Sequence, residues 1–214
     1  MKIGFADNCS LKFSRDIKEH WEQAGHEVKY EHGASEILAQ WADLYYIDWW
    51  DNNLHYLYKW YQDNPTALKA KICVRAIDWD VWTHGVRDQG LVDFVDKVIC
   101  IAPHMEEWLR HELDTISQLP IDWKGKLKYI APGVNLNKFT LNQVATNGFQ
   151  VGMVLGDMWW YKNHMGGLDI FTQLARQDSR WHLHIRGNHE GGEYNPIMYD
   201  YYLKSRKIED RVTL

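Results

Sequence analysis

Apolar and polar positions along the chain change period many times. Residues 2–6 form a short apolar run closed by Asp7-Asn8. Ser14 then reads as an N-cap, Ile17, Trp21 and Ala24 recur at helical spacing, and Gly25 stops the helix. Runs at 27–30, 43–49, 70–77, 97–101 and 128–130 read as further strands. Helical patterns at 35–41 and 54–61 lie between them. Pro103 opens another helix as its first residue, with Met105, Trp108 and Leu109 on the buried stripe. Ala131-Pro132-Gly133 breaks the sixth strand. Strands that are nearly continuously apolar and alternate with helices predict a parallel sheet covered on both faces, the doubly wound α/β class.

Residues 140–148 are polar and without period, which predicts a linker. A second α/β unit follows. It has a strand at 150–155, a helix marked by Leu168, Phe171, Leu174 and Ala175, and a strand at 181–185 leading to Gly187. A helix at 197–207 and the start of a third strand at 212–214 complete it. The expected organisation is two Rossmann-like domains, residues 1–140 and an incomplete one over 148–214. A three-strand unit of about 65 residues is marginal alone. The pattern therefore predicts a fragment, a truncated product, or a chain completed by a partner chain.

Composition narrows the class. The 214 residues are 45% apolar, enough for a core, and the net charge is −5 with no basic block. General nucleic-acid binding is disfavoured. Cys9, Cys73 and Cys100 form no CxxC, and the latter two lie in strand-like runs, as reduced buried thiols of a cytoplasmic protein would. No stretch reads as a signal peptide or membrane span. Neither GxGxxG nor GxxxxGK[ST] occurs, which removes support for dehydrogenase and kinase readings.

Ligands of doubly wound sheets bind at the carboxyl ends of the strands. This chain places Asn8, Trp49, Trp50, Asp78, Trp79, Asp80 and Gly133 at such ends in the first unit, and Gly156, Trp159, Trp160 and Gly187 in the second. Flat rings suit the C–H faces of sugars, and amides and carboxylates suit their hydroxyls. Packing of loops on the sheet is the alternative use of each tryptophan. Lys162-Asn163 stands where a strand hands over to a helix, and a helix N-terminus beside a lysine favours a phosphate. Asp78-Trp79-Asp80 spells D-x-D, which allows a metal-dependent reading, with solvated or capping carboxylates the commoner use. His182 and His184 share one sheet face by alternation. Hydrogen-bonded histidines beneath a helix outweigh a metal pair there.

The order of motifs resembles the family 4 glycosyltransferases with the GT-B fold. "YIAPGVNLNKF" (129–139) is similar to the strand and PxGV segment that ends their first domain, and "DKVICIAPHMEEWL" (96–109) to the strand and helix before it. "VGMVLGDMWWYKN" (151–163) with "GGLDIFTQLARQDSRWHLHIRG" (166–187) resembles the opening of the donor domain. The resemblance implies transfer of a sugar from a nucleotide sugar, UDP- or GDP-linked, to a glycan or other acceptor, with retention and without a required metal or other cofactor. It implies that the acceptor binds the first domain and that Lys162, with Asn163, Gly156 and Gly187, holds the donor. Trp159 and Trp160 would shape the cleft wall, Gly133 would border it, and Asp78 would sit near the reacting sugar. The sequence departs from the family pattern at Ile77, which stands in the place of a histidine, and at Asp157, which stands in the place of an arginine. Asn8-Cys9-Ser10 replaces a glycine-rich loop. These departures favour a second reading, a glycosyltransferase-like module that binds carbohydrate or a partner without catalysis.

Overall fold

The computed structural model describes residues 1–11, 14–77, 89–111, 122–133, 136, 148–158, 162–192 and 196–213. The chain divides into two compact units, Met1–Thr140 and Leu141–Leu214.

In unit 1, six strands form one parallel sheet: β1 (Lys2–Asp7), β2 (Glu27–His32), β3 (Leu44–Asp48), β4 (Lys71–Ala76), β5 (Lys97–Cys100) and β6 (Leu127–Tyr129). Their order is β2-β1-β3-β4-β5-β6. Between them run α1 (Arg15–Gln23), α2 (Glu36–Trp41), α3 (Asn52–Asp63), α4 (Gln89–Phe94) and α5 (Pro103–His111). Alternation along β1 and β3 sends side chains to two different layers. Phe5 and Tyr46 meet Trp21 of α1, with ring centroids 5.7 and 5.3 Å from the indole. Ala6, Tyr45 and Ile47 instead join Leu38, Leu54, Leu57, Leu91, Met105 and Leu109 in the main core. Gly4 is required by this packing, because a Cβ there would lie 2.7 Å from Cδ2 of the buried Tyr45 and 3.0 Å from Cγ of Leu38.

Unit 2 holds a parallel sheet of order β7-β8-β9, with β7 (Gln150–Met158), β8 (His182–Gly192) and β9 (Val212–Thr213). Helices α6 (His164–Gln177) and α7 (Pro196–Arg206) connect them. Leu168, Phe171 and Ala175 of α6 pack on Leu183 and Ile185 of β8 and on Tyr199 and Leu203 of α7. Burial of these side chains on the sheet is the main stabilising term available to so small a unit.

The doubly wound α/β class predicted by the apolar pattern is the architecture observed. The differences are local. Helix α4 gave no periodic signal, since six residues hold less than two turns. Strands β7 and β8 run past the predicted ends at Leu155 and Ile185, because their pairing continues irregularly, as Asp157 opposite Asn188 and Met158 opposite Gly192. Gly156 and Gly187 accordingly lie inside strands and not in the loops beyond them. No helix among the described residues is long and apolar enough to cross a membrane.

Candidate functional site

The order β2-β1-β3 reverses the winding direction at β1, so the topological switch point of unit 1 falls between the carboxyl ends of β1 and β3. Asp7 and Asp48 end these strands side by side in register, and Arg75 of β4 faces Asp48. All three are drawn inside by the sheet. Asp48 has a side-chain exposure of 1%, and the Arg75 guanidinium grips it, with Nε 2.5 Å from one oxygen and Nη2 donating to the other at 2.7 Å. Burial nonetheless pushes the Asp48 carboxyl above its usual range, against the pull of Arg75.

Asp7 has a different role. Its carboxylate accepts the backbone N–H groups of Cys9 (3.1 Å) and Leu11 (2.8 Å) and the hydroxyls of Ser14 (2.8 Å) and Tyr30 (2.9 Å). Ser10 and Leu11 adopt left-handed backbone, which curls the loop around that carboxylate. Burial, and then the bond to Asp7, pushes Tyr30 up to about 12. In doubly wound folds the loop after the first strand is where backbone N–H groups commonly meet a phosphate. Here a carboxylate of the same chain already fills it.

At the end of β3, Asp51 caps α3 by accepting Asn53 N–H at 2.8 Å, and it also accepts the Asn8 side-chain amide. Ser35 caps α2 by accepting Leu38 N–H at 3.1 Å. Asn8 is exposed and Trp49 is half-buried at this edge. Trp50 is a correction to the expected sugar contacts. It is fully buried in the main core, 6.3 Å from the Trp123 ring, because the chain turns inward after Trp49 to start α3. Gly133 is exposed past the end of β6, with open space where a Cβ would stand.

In unit 2 the corresponding edge leads into α6. Lys162 is exposed just before it, and Asn163 occupies the N-cap position in left-handed backbone, φ 51° and ψ 37°. The Asn163 side chain makes no capping bond, and no acidic residue occupies the first turn. Its amide instead lies over Gly166, where a Cβ would come within 2.5 Å of Oδ1. Gly167 lets the helix settle on β7, since a Cβ there would lie 2.5 Å from Sδ of Met153. The N-terminal N–H groups of a fourteen-residue helix thus receive no bond from the N-cap side chain, next to a lysine. His164, which the sequence pattern did not single out, is buried at this start and stacks on Tyr199 with ring centroids 5.6 Å apart.

His182 and His184 do share one face, with rings 4.8 Å apart. They bond Thr213 (2.8 Å) and Gln150 (2.7 Å), and His184 is exposed rather than beneath a helix. Among the described residues no group of three or more His, Cys, Asp or Glu side chains is placed to hold a metal ion. Asp78, Trp79, Asp80, Trp159 and Trp160 lie outside the described residues. The three cysteines form no disulfide, and burial pushes Cys73 and Cys100 up to about 11.

Two parallel-sheet units of this kind in one chain define a GT-B-like Rossmann fold, and comparison with solved structures agrees. An α-glucosyltransferase in complex with UDP matches with TM-score 0.60 and 14% identity over 100% of this chain and 66% of that one. An α-glucosyltransferase with UDP and a 13-mer DNA containing an HMU base matches with TM-score 0.60 and 12% identity, covering 64% of that chain. One with UDP-glucose and DNA containing an abasic site gives 0.59 and 13%, again covering 64%. The chain thus spans just under two thirds of the length of these structures. No protein-family model and no curated protein matches the sequence.

Proposed function

We propose that this chain is a nucleotide-sugar-dependent glycosyltransferase of the GT-B type. Unit 2 takes the donor, a UDP- or GDP-sugar, and unit 1 takes a hydroxyl-bearing acceptor such as a glycan. The observation that carries the reading is the start of α6. A helix N-terminus without a side-chain cap stands beside Lys162 at the carboxyl edge of β7, in a fold shared with UDP-bound glucosyltransferases. A diphosphate leaving group gathers charge as its bond to the sugar breaks. Helix-terminal N–H groups and an ammonium fixed there stabilise that charge more in the transition state than in the ground state. Asp7 supports the same division of labour, because the loop that could seat a phosphate in unit 1 is already filled.

At the acceptor side, Asn8 and Trp49 offer an amide and a ring to a sugar, with Gly133 at the margin. Asn163 would shape the donor seat, while Gly156 and Gly187 would let the nucleotide approach the backbone of β7 and β8. Asp78, Trp79, Trp159 and Trp160 remain expected contacts on the family resemblance. The reaction is taken as retaining and independent of metal. The test is calorimetry of UDP and GDP binding. Lys162→Ala should weaken the affinity on the order of 10-fold or more, the scale of a hydrogen bond to a charged group, and an unchanged affinity removes the assignment. Ile77 at the end of β4, in the place of a family histidine, favours the second reading of a binder without catalysis. Sugar transfer from any nucleotide sugar to an acceptor would reject it.

A further inference from the structure

Six non-glycine residues among those described have positive φ. Five of them, Ser10, Leu11, Lys124, Asn163 and Lys207, fall between 48° and 61°, the ordinary left-handed region of turns and helix ends. Trp49 stands apart at 106°. For a bulky side chain that value is a strained outlier, of the kind that persists only when the surroundings over-determine it.

The surroundings do so from both sides. The Trp49 N–H donates to the carbonyl of Arg75 at 3.0 Å, and the guanidinium of the same Arg75 holds the carboxylate of the preceding residue, Asp48. One residue of β4 thus fixes the peptide unit and the side chain that enter the turn. On the other side, Trp50 is locked into the core and Asp51 into the cap of α3. The strained residue sits at the carboxyl end of β3, beside the switch point, and is half-buried, with its indole Nε1 inside. The backbone conformation itself costs stability in any residue but glycine. Strain kept at a ligand-binding edge points to a function for the side chain displayed there.

We propose that Trp49 is a sugar-contacting residue held in strained backbone, and that Asp48 and Arg75 are the positioning pair that holds it. This rests on the acceptor assignment made for unit 1. The first test needs no ligand. Trp49→Gly and Trp49→Ala lose the same ring, so their difference reports the backbone. The glycine variant should melt about 2–4 °C above the alanine variant, because only alanine carries a Cβ into that conformation. Equal melting, or a more stable alanine variant, overturns the strain. The same pair compared in an Asp48→Asn/Arg75→Gln background, which removes both charges at nearly constant volume, should show the gap closing as the turn relaxes. A gap that persists overturns the positioning role.

The contact is tested on the full chain carrying 5-fluorotryptophan, with the Trp49 fluorine signal assigned by its loss in Trp49→Phe. Neutral methyl hexosides at millimolar concentration should move that signal, and a panel that leaves it in place overturns the contact. UDP binding at Lys162 is read separately. Loss of the Trp49 response with UDP binding intact sinks this inference alone, whereas absent UDP binding sinks the function from which it starts.

Discussion

The helices that begin at the carboxyl edges of the two sheets are not closed alike. In unit 1, Ser35 and Asp51 satisfy the first turns of α2 and α3, while Ser14 makes no capping bond to α1 and Asp7 fills the loop before it. In unit 2, α6 begins at an asparagine that caps nothing, beside an exposed lysine. The backbone architecture is alike, and the positive ends of helices come to the same edge in both. Side chains decide whether those ends are closed by the chain itself or left for an anion. On the function proposed above, this difference supports a diphosphate at unit 2 and a ligand met by amide and ring at unit 1.

Reversing the charge should have the largest effect. Lys162→Glu puts a carboxylate at the α6 start, and UDP affinity should fall on the order of 100-fold, the loss of a charge-assisted contact plus repulsion. Affinity held within experimental error in calorimetry would break the comparison at its centre. Next come the caps. Ser35→Ala should cost about 1 kcal/mol in urea unfolding, the usual value of an N-cap. Asn163→Gly should cost nothing, and it can add up to about 1 kcal/mol because glycine fits φ 51° without strain. A loss at Asn163 equal to that at Ser35 would show that both helix starts are closed. The smallest effect separates the units by pH. Asp48 is pushed up by burial, so its contribution to unit 1 is present at acid pH and is lost as pH rises through its folded pKa. Asp178, half-buried in unit 2, is held down at about 2 by hydrogen bonds from Arg180, so its contribution is present above the ordinary carboxylate range and is lost as pH falls toward 2. Carboxyl-carbon titration by NMR should place the two on opposite sides of that range.

Much of the fold was readable along the chain because its strands are short, apolar and separated by clear stops. Gly25, Pro103 and Pro132 punctuate it by mechanisms that act within a few residues, whereas Ser14, read as an N-cap, makes no capping bond and donates its hydroxyl to Asp7. The helix start just after Lys162 was legible for the same reason, since it depends only on the turn that follows. Trp50 was misread because a pair of adjacent tryptophans carries no local sign of which ring turns inward. That depends on Trp123, more than seventy residues away in sequence. The left-handed loop that lets Asp7 occupy the phosphate position left no sequence pattern either. Cys9, Leu11 and Ser14 lie within seven residues of Asp7, and Tyr30 joins them only when β2 lies beside β1. Gly156 and Gly187 read as loop glycines because the apolar runs stop before them, while the irregular pairing of β7 with β8 carries the strands further.

By itself the sequence determined the class of fold, two wound parallel sheets, because hydrophobic period and turn chemistry are local properties of the chain. Tertiary structure alone decided which polar groups distant in sequence satisfy one another. It brought Tyr30 to the Asp7 carboxylate, clamped Arg75 across Asp48, and forced Trp49 into a conformation that no tryptophan prefers. Hydrogen bonds and strain are set by distances between residues far apart in sequence, and those distances do not exist until the sheet has formed.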